Sequence, residues 1–386
     1  MEIREFFQAT KVVSGAGAVN NVGQEVIALK GKKVLIITDG FLAKSDIMKK
    51  VIYSLDASEI DHIVYDKVRA NPRTTDCDET VELAKEQNID VIIGLGGGSS
   101  MDQAKATAAL VTNGGKCVDW DYKELNEYML PVICIPTTSG TGSEVTFVAV
   151  ITDEERKYKM SVFDPIKLRP SVAIADPTLL TSLPPSLTAS TGVDALTHAI
   201  EAYTCKVSSP ITDALALYAI DIISANIVQA VENGNDLNVR YNMLMGSLIA
   251  GMAFINSNVG AVHAISETVG GWYDTPHGVG NSIFLPYIME YNIPASPEKF
   301  ATVAKHLGVD PEGKSTKELA LAGVAKVKEI NEKVNIPKLK ELDYIKEENF
   351  RAIAERSAEN PLSDDNARKI DADGYMSVIM KAYRAE

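Results

Sequence analysis

Residues 91–105, VIIGLGGGSSMDQAK, decide the fold. Val91–Leu95 is a short apolar run of the kind that fills a buried parallel strand. Three glycines end it, and Ser99–Val111 continues at helical spacing. A glycine turn between strand and helix lets the backbone approach a phosphate. The helix start supplies free N–H groups and the positive end of a dipole. Ser99 and Asp102, three residues apart, also fit a capping box that serves the helix itself. The second reading does not exclude the first.

The same alternation continues on both sides. Lys33–Thr38 (KVLIIT), Ile60–Tyr65 and Val132–Ile135 (VICI) read as strands, and Ala43–Leu55 and Thr75–Gln87 as helices. Strands separated by helices of about 10–15 residues imply βαβ units and a parallel sheet. The texture changes after Asp176, where DPTLLTSLPPSL carries three prolines and predicts an interdomain crossing. Helical patterns then follow over Ser190–Thr204, Pro210–Asn233, Val239–Asn256, Ala261–Tyr273, Lys314–Asn335 and Glu347–Glu359. Gly246 and Gly251 inside the third predict close helix packing. The expected fold class is α/β plus all-α: a Rossmann-like parallel-sheet domain over residues 1–182, then an all-helical domain over 183–386.

A chain of 386 residues suits two such domains. Its 38 Lys and Arg against 52 Asp and Glu give a net charge of −14, a field that repels nucleic-acid phosphates and anionic lipid. Four cysteines without a CxxC pair suit a reducing compartment as packing residues. The first residues, MEIREFFQAT, place charges where a signal peptide needs an apolar stretch, and no apolar run is expected to reach a membrane span of about 18–20 residues. A cytoplasmic protein is expected.

A second polar loop, Pro136–Glu144 (PTTSGTGSE), follows the VICI strand, at the sheet edge where ligands of open α/β sheets bind. Thr137, Thr138, Thr141 and Ser143 would offer hydroxyls to phosphate or ribose; a merely solvated loop is the other reading. Asp39, ending KVLIIT, either accepts from a ribose 2′-hydroxyl, favouring NAD over NADP, or caps a helix. Gly15, Gly17 and Gly23 lack the fingerprint spacing and read as a turn.

Of five histidines, His62 and His306 sit in charged surroundings and read as surface residues. Asp194 and His198 are four apart on one helix face, His263 begins another helix, and His277 falls in the loop Thr275-Pro-His-Gly278. Three imidazoles and a carboxylate can close a divalent site, in a ligand set that suits Fe2+, Zn2+ or Ni2+ better than Mg2+ or Ca2+. Core histidines and a helical Asp–His pair are the plain alternative.

Together these segments resemble the iron-containing (group III) alcohol dehydrogenases. The matching stretches are GGGSSMDQAKA, IPTTSGTGSEVT, ITDEERKYKM, TGVDALTHAIEAY, GMAFINSNVGAVHAISE and TPHGVGN, in the family's order. The resemblance implies an NAD-dependent, Fe2+-dependent (or Zn2+-dependent) alcohol dehydrogenase or aldehyde reductase with a cleft between its domains. It implies Asp194, His198, His263 and His277 as metal ligands, with His277 nearest the nicotinamide. It places cofactor contacts at Asp39, Asn71, Gly97, Gly98, Ser99, Thr138, Thr141 and Lys159. Read from the residues themselves, Phe147, Phe254, Val259 and Trp272 either form an apolar wall that favours small primary alcohols and aldehydes or are plain core packing; a homodimer or larger homo-oligomer is expected from the family.

The chain departs from the family at two places. Members usually carry a second histidine four residues after the first in the HAxxH segment; this chain has Glu267, which would take over proton transfer as a catalytic residue, or approach the metal, or serve only the helical domain. Ala70-Asn71-Pro72-Arg73 replaces the usual Pro-Asn-Pro-Thr, with Arg73 expected at the surface. The scaffold also resembles glycerol dehydrogenases and dehydroquinate synthases, which use fewer histidine ligands; His198 argues against them. A metal- or nucleotide-binding protein without turnover is the non-enzymatic alternative.

Overall fold

The computed structural model describes residues 3–385. Eight strands are present among them: β1 Lys11–Ser14, β2 Lys33–Ile37, β3 Asp61–Tyr65, β4 Val91–Gly96, β5 Val132–Pro136, β6 Val148–Asp153, β7 Tyr158–Phe163 and β8 Val172–Ala175. The first half also holds α1 Val22–Ala28, α2 Asp46–Asp56, α3 Thr74–Glu86 and α4 Gly98–Asn113. The second half is helical: α5 Pro185–Thr204, α6 Pro210–Glu232, α7 Leu237–Asn256, α8 Ala261–Tyr273 and α9 His277–Asn292. It continues through α10 Pro297–His306, α11 Thr316–Lys333, α12 Phe350–Glu359 and α13 Ala372–Arg384.

Six strands form one parallel sheet in the order β1-β8-β5-β4-β2-β3, and β6–β7 is a separate antiparallel hairpin. Side chains of a strand alternate between faces, so β2 serves two cores. Val34 and Ile36 pack with Met48, Val51 and Leu55 of α2, whereas Leu35 and Ile37 pack with Val81 of α3 and Met101 and Ala104 of α4. Helices thus cover both faces, which is why the strands read as continuous apolar runs. The chain order reverses between β2 and β4, and the turns after both strands open at the carboxyl edge of the sheet.

The two halves meet closely. Leu244 and Leu248 of α7 enter the same apolar cluster as Val34 and Ile36. A Cβ on Gly251 would lie 2.9 Å from the Gly142 carbonyl oxygen, and one on Gly246 would lie 2.7 Å from Ile223 Cγ1. Both glycines of α7 therefore mark close approach, as their sequence position predicts. The proline-rich crossing is packed rather than loose: Leu179 and Leu180 are buried, and the buried Asp176 accepts from the Thr178 and Val19 N–H groups.

Several local expectations need correction. The hairpin β6–β7 was not expected: its turn, DEERK, is charged, and its strands alternate rather than run apolar. No capping box joins Ser99 and Asp102; Gly97 is the N-cap of α4 and no side chain caps it. His277 is the first residue of α9 rather than a loop residue. Finally α6, with mean hydropathy 1.7 over an 18-residue window, is long and apolar enough to cross a membrane. Its Ala216, Ala219, Ile220, Ile223 and Ile227 are instead buried in the helical core. All four cysteines are buried free thiols.

Candidate metal and dinucleotide site

One ligand atom from each of Asp194, His198, His263 and His277 lies within 4.8 Å of the other three. Helix geometry explains the grouping. Asp194 and His198 share a face of α5, His263 lies in the first turn of α8, and His277 starts α9. Gly278 permits this: a Cβ there would meet the Ser190 carbonyl oxygen of α5 at 2.6 Å.

The donors are arranged for a cation. Glu201 Oε2 sits 2.5 Å from His263 Nδ1, which leaves Nε2 facing the cluster. Burial lowers the pKa values of His198 and His277, His198 further by the neighbouring His263, so both rings are neutral with lone pairs available. Burial also opposes a charge on His263, but the bond to Glu201 outweighs it and the pKa rises. Asp194 is pushed up to about 6 by burial. Asn281 Nδ2 lies 2.6 Å from Asp194 Oδ1 and 3.1 Å from both His263 Nε2 and His277 Nε2. An amide carries only two protons, so three acceptors converge on it in excess of its capacity. Nδ1 atoms of His198 and His277 are buried without partners, as is Asn281 Oδ1. The excess of acceptors over protons at the Asn281 amide fits a divalent cation among Asp194, His263 and His277.

The cluster opens into a cavity of about 400 Å3 whose lining includes His198, His263, Glu267 and His277 together with Lys159, Asn71, Gly98, Ser99 and Thr141. Gly98 is required there, since a Cβ would meet Thr141 Cγ2 at 2.7 Å where the two loops touch. With no side-chain cap on α4, its first N–H groups remain available to an anion, which fits a pyrophosphate. Gly97 packs on Thr138, adjacent to but outside the cavity wall. Asp39 is also outside that wall; its Oδ1 accepts from the Phe41 and Leu42 N–H groups and so holds the turn that follows β2. Of the expected apolar wall, Phe254 and Val259 line the cavity. Phe147 is buried against Phe7 and Phe163, and Trp272 is exposed.

Asn71 joins the two halves. Its Oδ1 accepts from Lys159 Nζ at 3.0 Å and its Nδ2 donates to Asp274 Oδ1 at 2.6 Å. Arg73 corrects the surface expectation: its side chain is only 13% exposed and pairs with Glu154 and Asp274, while also bonding the Asn71 carbonyl. It therefore holds the Asn71 loop against the α8–α9 connection. Glu267 faces the cavity, with Oε2 accepting from Asn360 Nδ2 at 3.0 Å, and burial raises its pKa.

Sequence reasoning missed Glu201, Asn281, Asn360 and Lys105. A signal existed for the first two: Glu201 is seven residues beyond Asp194, two turns along the same helix, and Asn281 is one turn beyond His277.

Glu144, at the end of the second loop, is fully buried with Oε1 unpartnered, and burial pushes its pKa up to about 7. The unfolded chain releases this proton near pH 4–5, before the folded one, so stability falls as pH rises from there to about 7 and is flat above. Glu144→Gln is expected to remove that slope and stabilise the protein at pH 8 by up to about 3 kcal/mol. Urea midpoints at pH 5 and pH 8 would show it; an unchanged slope would refute it.

The iron-containing alcohol dehydrogenase family matches residues 9–177, and the C-terminal region of the Fe-containing alcohol dehydrogenase family matches residues 188–383. An NAD-dependent methanol dehydrogenase of Bacillus methanolicus is 38% identical over 98% of this chain and 99% of that protein. The crystal structure of a 1,3-propanediol oxidoreductase superposes with a TM-score of 0.95 at 35% identity, over 99% of this chain and all of that one. A sulfoacetaldehyde reductase of Bifidobacterium kashiwanohense, solved with NAD+, gives a TM-score of 0.90 at 27% identity over the full length of both.

Proposed function

The chain belongs to the iron-containing alcohol dehydrogenase family, and from that premise we propose how its residues perform an NAD-dependent hydride transfer between a small primary alcohol or aldehyde and nicotinamide. The observation that carries the proposal is the convergence of Asp194, His198, His263 and His277 beside a cavity that Gly98 and Ser99 of the glycine loop also line. These four residues would hold the divalent cation, Fe2+ or Zn2+, which supplies Lewis-acid polarisation of the substrate oxygen.

The remaining work falls to the chain's own groups. Gly97, Gly98 and Ser99 at the start of α4 receive the pyrophosphate, helped by Thr138 and Thr141 of the facing loop. Asp39 keeps Oδ2 for the ribose 2′-hydroxyl while Oδ1 holds its own turn, and its charge disfavours a 2′-phosphate. Lys159, held by Asn71, orients the cofactor beside the cluster. His277, the most exposed of the four at 26%, is nearest the nicotinamide space. Phe254, Ile255, Val259 and Leu362 exclude water and limit substrate size. Residues 1–182 would then serve the dinucleotide and 183–386 the metal. We place the enzyme in the cytoplasm as a homo-oligomer. The methanol and propanediol activities of the relatives favour short alcohols here.

Glu267 would exchange the substrate's hydroxyl proton. Glu267→Gln, which cannot take a proton, is expected to lower kcat about 10²-fold and remove one limb of its pH profile, with cofactor KM little changed. Glu267→His should retain turnover. Unchanged turnover and metal content in Glu267→Gln would refute the role.

Anaerobic NADH oxidation by protein reconstituted with Fe2+, against short aldehydes, tests the whole reading. Metal-dependent turnover that prefers NADH to NADPH supports it. Bound NADH without turnover under Fe2+ or Zn2+ would favour a non-catalytic binding protein.

A further inference from the structure

A second cavity of about 340 Å3 lies beside the first. Lys157 and Tyr158 of the hairpin, Thr268 of α8, and Arg356 and Glu359 of α12 line it. Lys157, Arg356 and Glu359 are exposed, so this cavity reaches solvent. The two cavities share three residues, Lys159, Glu267 and Pro361, contributed by β7, α8 and the segment after α12. The partition is polar and tied from opposite sides. Lys159 is bonded to Asn71 on the first cavity's wall, and Glu267 to Asn360 on the second's. Glu267 is also within the field of Lys159, His263 and Glu201, and its charge in turn acts on Tyr122 and Tyr158.

The reaction makes such an opening useful. Oxidation converts RCH2OH and NAD+ into RCHO, NADH and H+. The C–H bond and its electron pair go to nicotinamide C4, the O–H pair closes the carbonyl, and the proton must leave. A dinucleotide lying on Gly98, Ser99 and Thr141 occupies the first cavity, and the proton needs a route that does not cross it.

We propose that the second cavity is the proton's path between the reaction site and solvent, with Glu267 passing it across the partition. This rests on the function proposed above, and it adds a site and a direction of transfer that Glu267 alone does not define. In aldehyde reduction the same path runs inward.

The test is a single-turnover experiment in which NADH absorbance and a pH-indicator dye are followed together. The wild-type enzyme should release its proton in step with NADH. Filling the cavity with Thr268→Trp, or at the exposed rim with Arg356→Trp should the first variant misfold, should make proton release lag NADH formation at least about tenfold. Added imidazole should restore about tenfold or more of the turnover lost in Glu267→Ala, and should fail to do so in Glu267→Ala/Thr268→Trp. Synchronous proton release in both filled variants, or equal imidazole rescue in the single and double variants, overturns the proposal. Absence of NADH formation by the wild type with every alcohol would overturn the underlying function and the proposal with it.

Discussion

Asp194→Asn is expected to empty the metal site and lower turnover by at least about 10³-fold, while leaving the fold intact. Asparagine has the shape of the native side chain, so the packing of α5 against α8 and α9 is preserved. What changes is charge. Three neutral imidazoles and a carboxylate leave a divalent ion with a residual charge of about one, whereas three imidazoles and an amide leave the full charge buried and uncompensated. Lewis-acid stabilisation contributes several kcal/mol to such reactions, and each 1.36 kcal/mol lost is tenfold in rate. Stability should move the other way in the metal-free protein. Burial holds the Asp194 carboxyl at a pKa of about 6, so above that pH the folded state carries a charge that the unfolded chain would hold more cheaply in water. Metal-free Asp194→Asn should therefore melt no lower than the metal-free wild type at pH 8. Elemental analysis, turnover and melting of the stripped proteins would check this. Full metal content with full turnover would remove Asp194 from the ligand set.

Much of this was legible because its physics is local. Buried parallel strands must be apolar on both faces, so KVLIIT, VIIGL and VICI announce themselves, and so does a glycine turn between strand and helix. Asp194 and His198 were legible as a pair because four residues is one helical turn. Less local features escaped. His277 looked like a loop residue because Pro276, Gly278 and Gly280 surround it; yet Pro276 as N-cap starts α9, and Gly278 is what lets α9 approach α5. Arg73 resembled a surface charge because its partners, Glu154 and Asp274, are distant in sequence. Glu267 and Asn360 lie 93 residues apart, and no spacing rule connects them.

Lys105 carries the largest expected effect on stability, and its sequence context, a lysine in a helix after a glycine turn, gave no hint of it. Its side chain is fully buried. The ammonium lies 3.0 Å from Asp102 Oδ1 and donates to the Ser143 carbonyl and Thr146 hydroxyl, both at 3.1 Å, and to the Val148 carbonyl. Asp102 in turn accepts from the Ser143 hydroxyl at 2.6 Å and the Val150 N–H at 3.1 Å. One ion pair therefore ties α4 to the second loop and to β6, holding Gly98 and Thr141 face to face. Methionine has comparable length but no charge or donors. Lys105→Met would leave the Asp102 carboxylate without its cation and the Ser143 and Val148 carbonyls without this donor, a loss of about 3–5 kcal/mol. The damage should be asymmetric. NAD affinity should fall, because the two loops lose their common anchor. Metal content should persist, because α5, α8 and α9 form a separate apolar core with its own buried residues. A urea midpoint and an NAD titration on the metal-loaded variant would decide it. Native stability in Lys105→Met would mean that the loops are held by the glycine contacts alone, and equal loss of metal and NAD would mean that the metal cluster and the glycine loop are not independently supported.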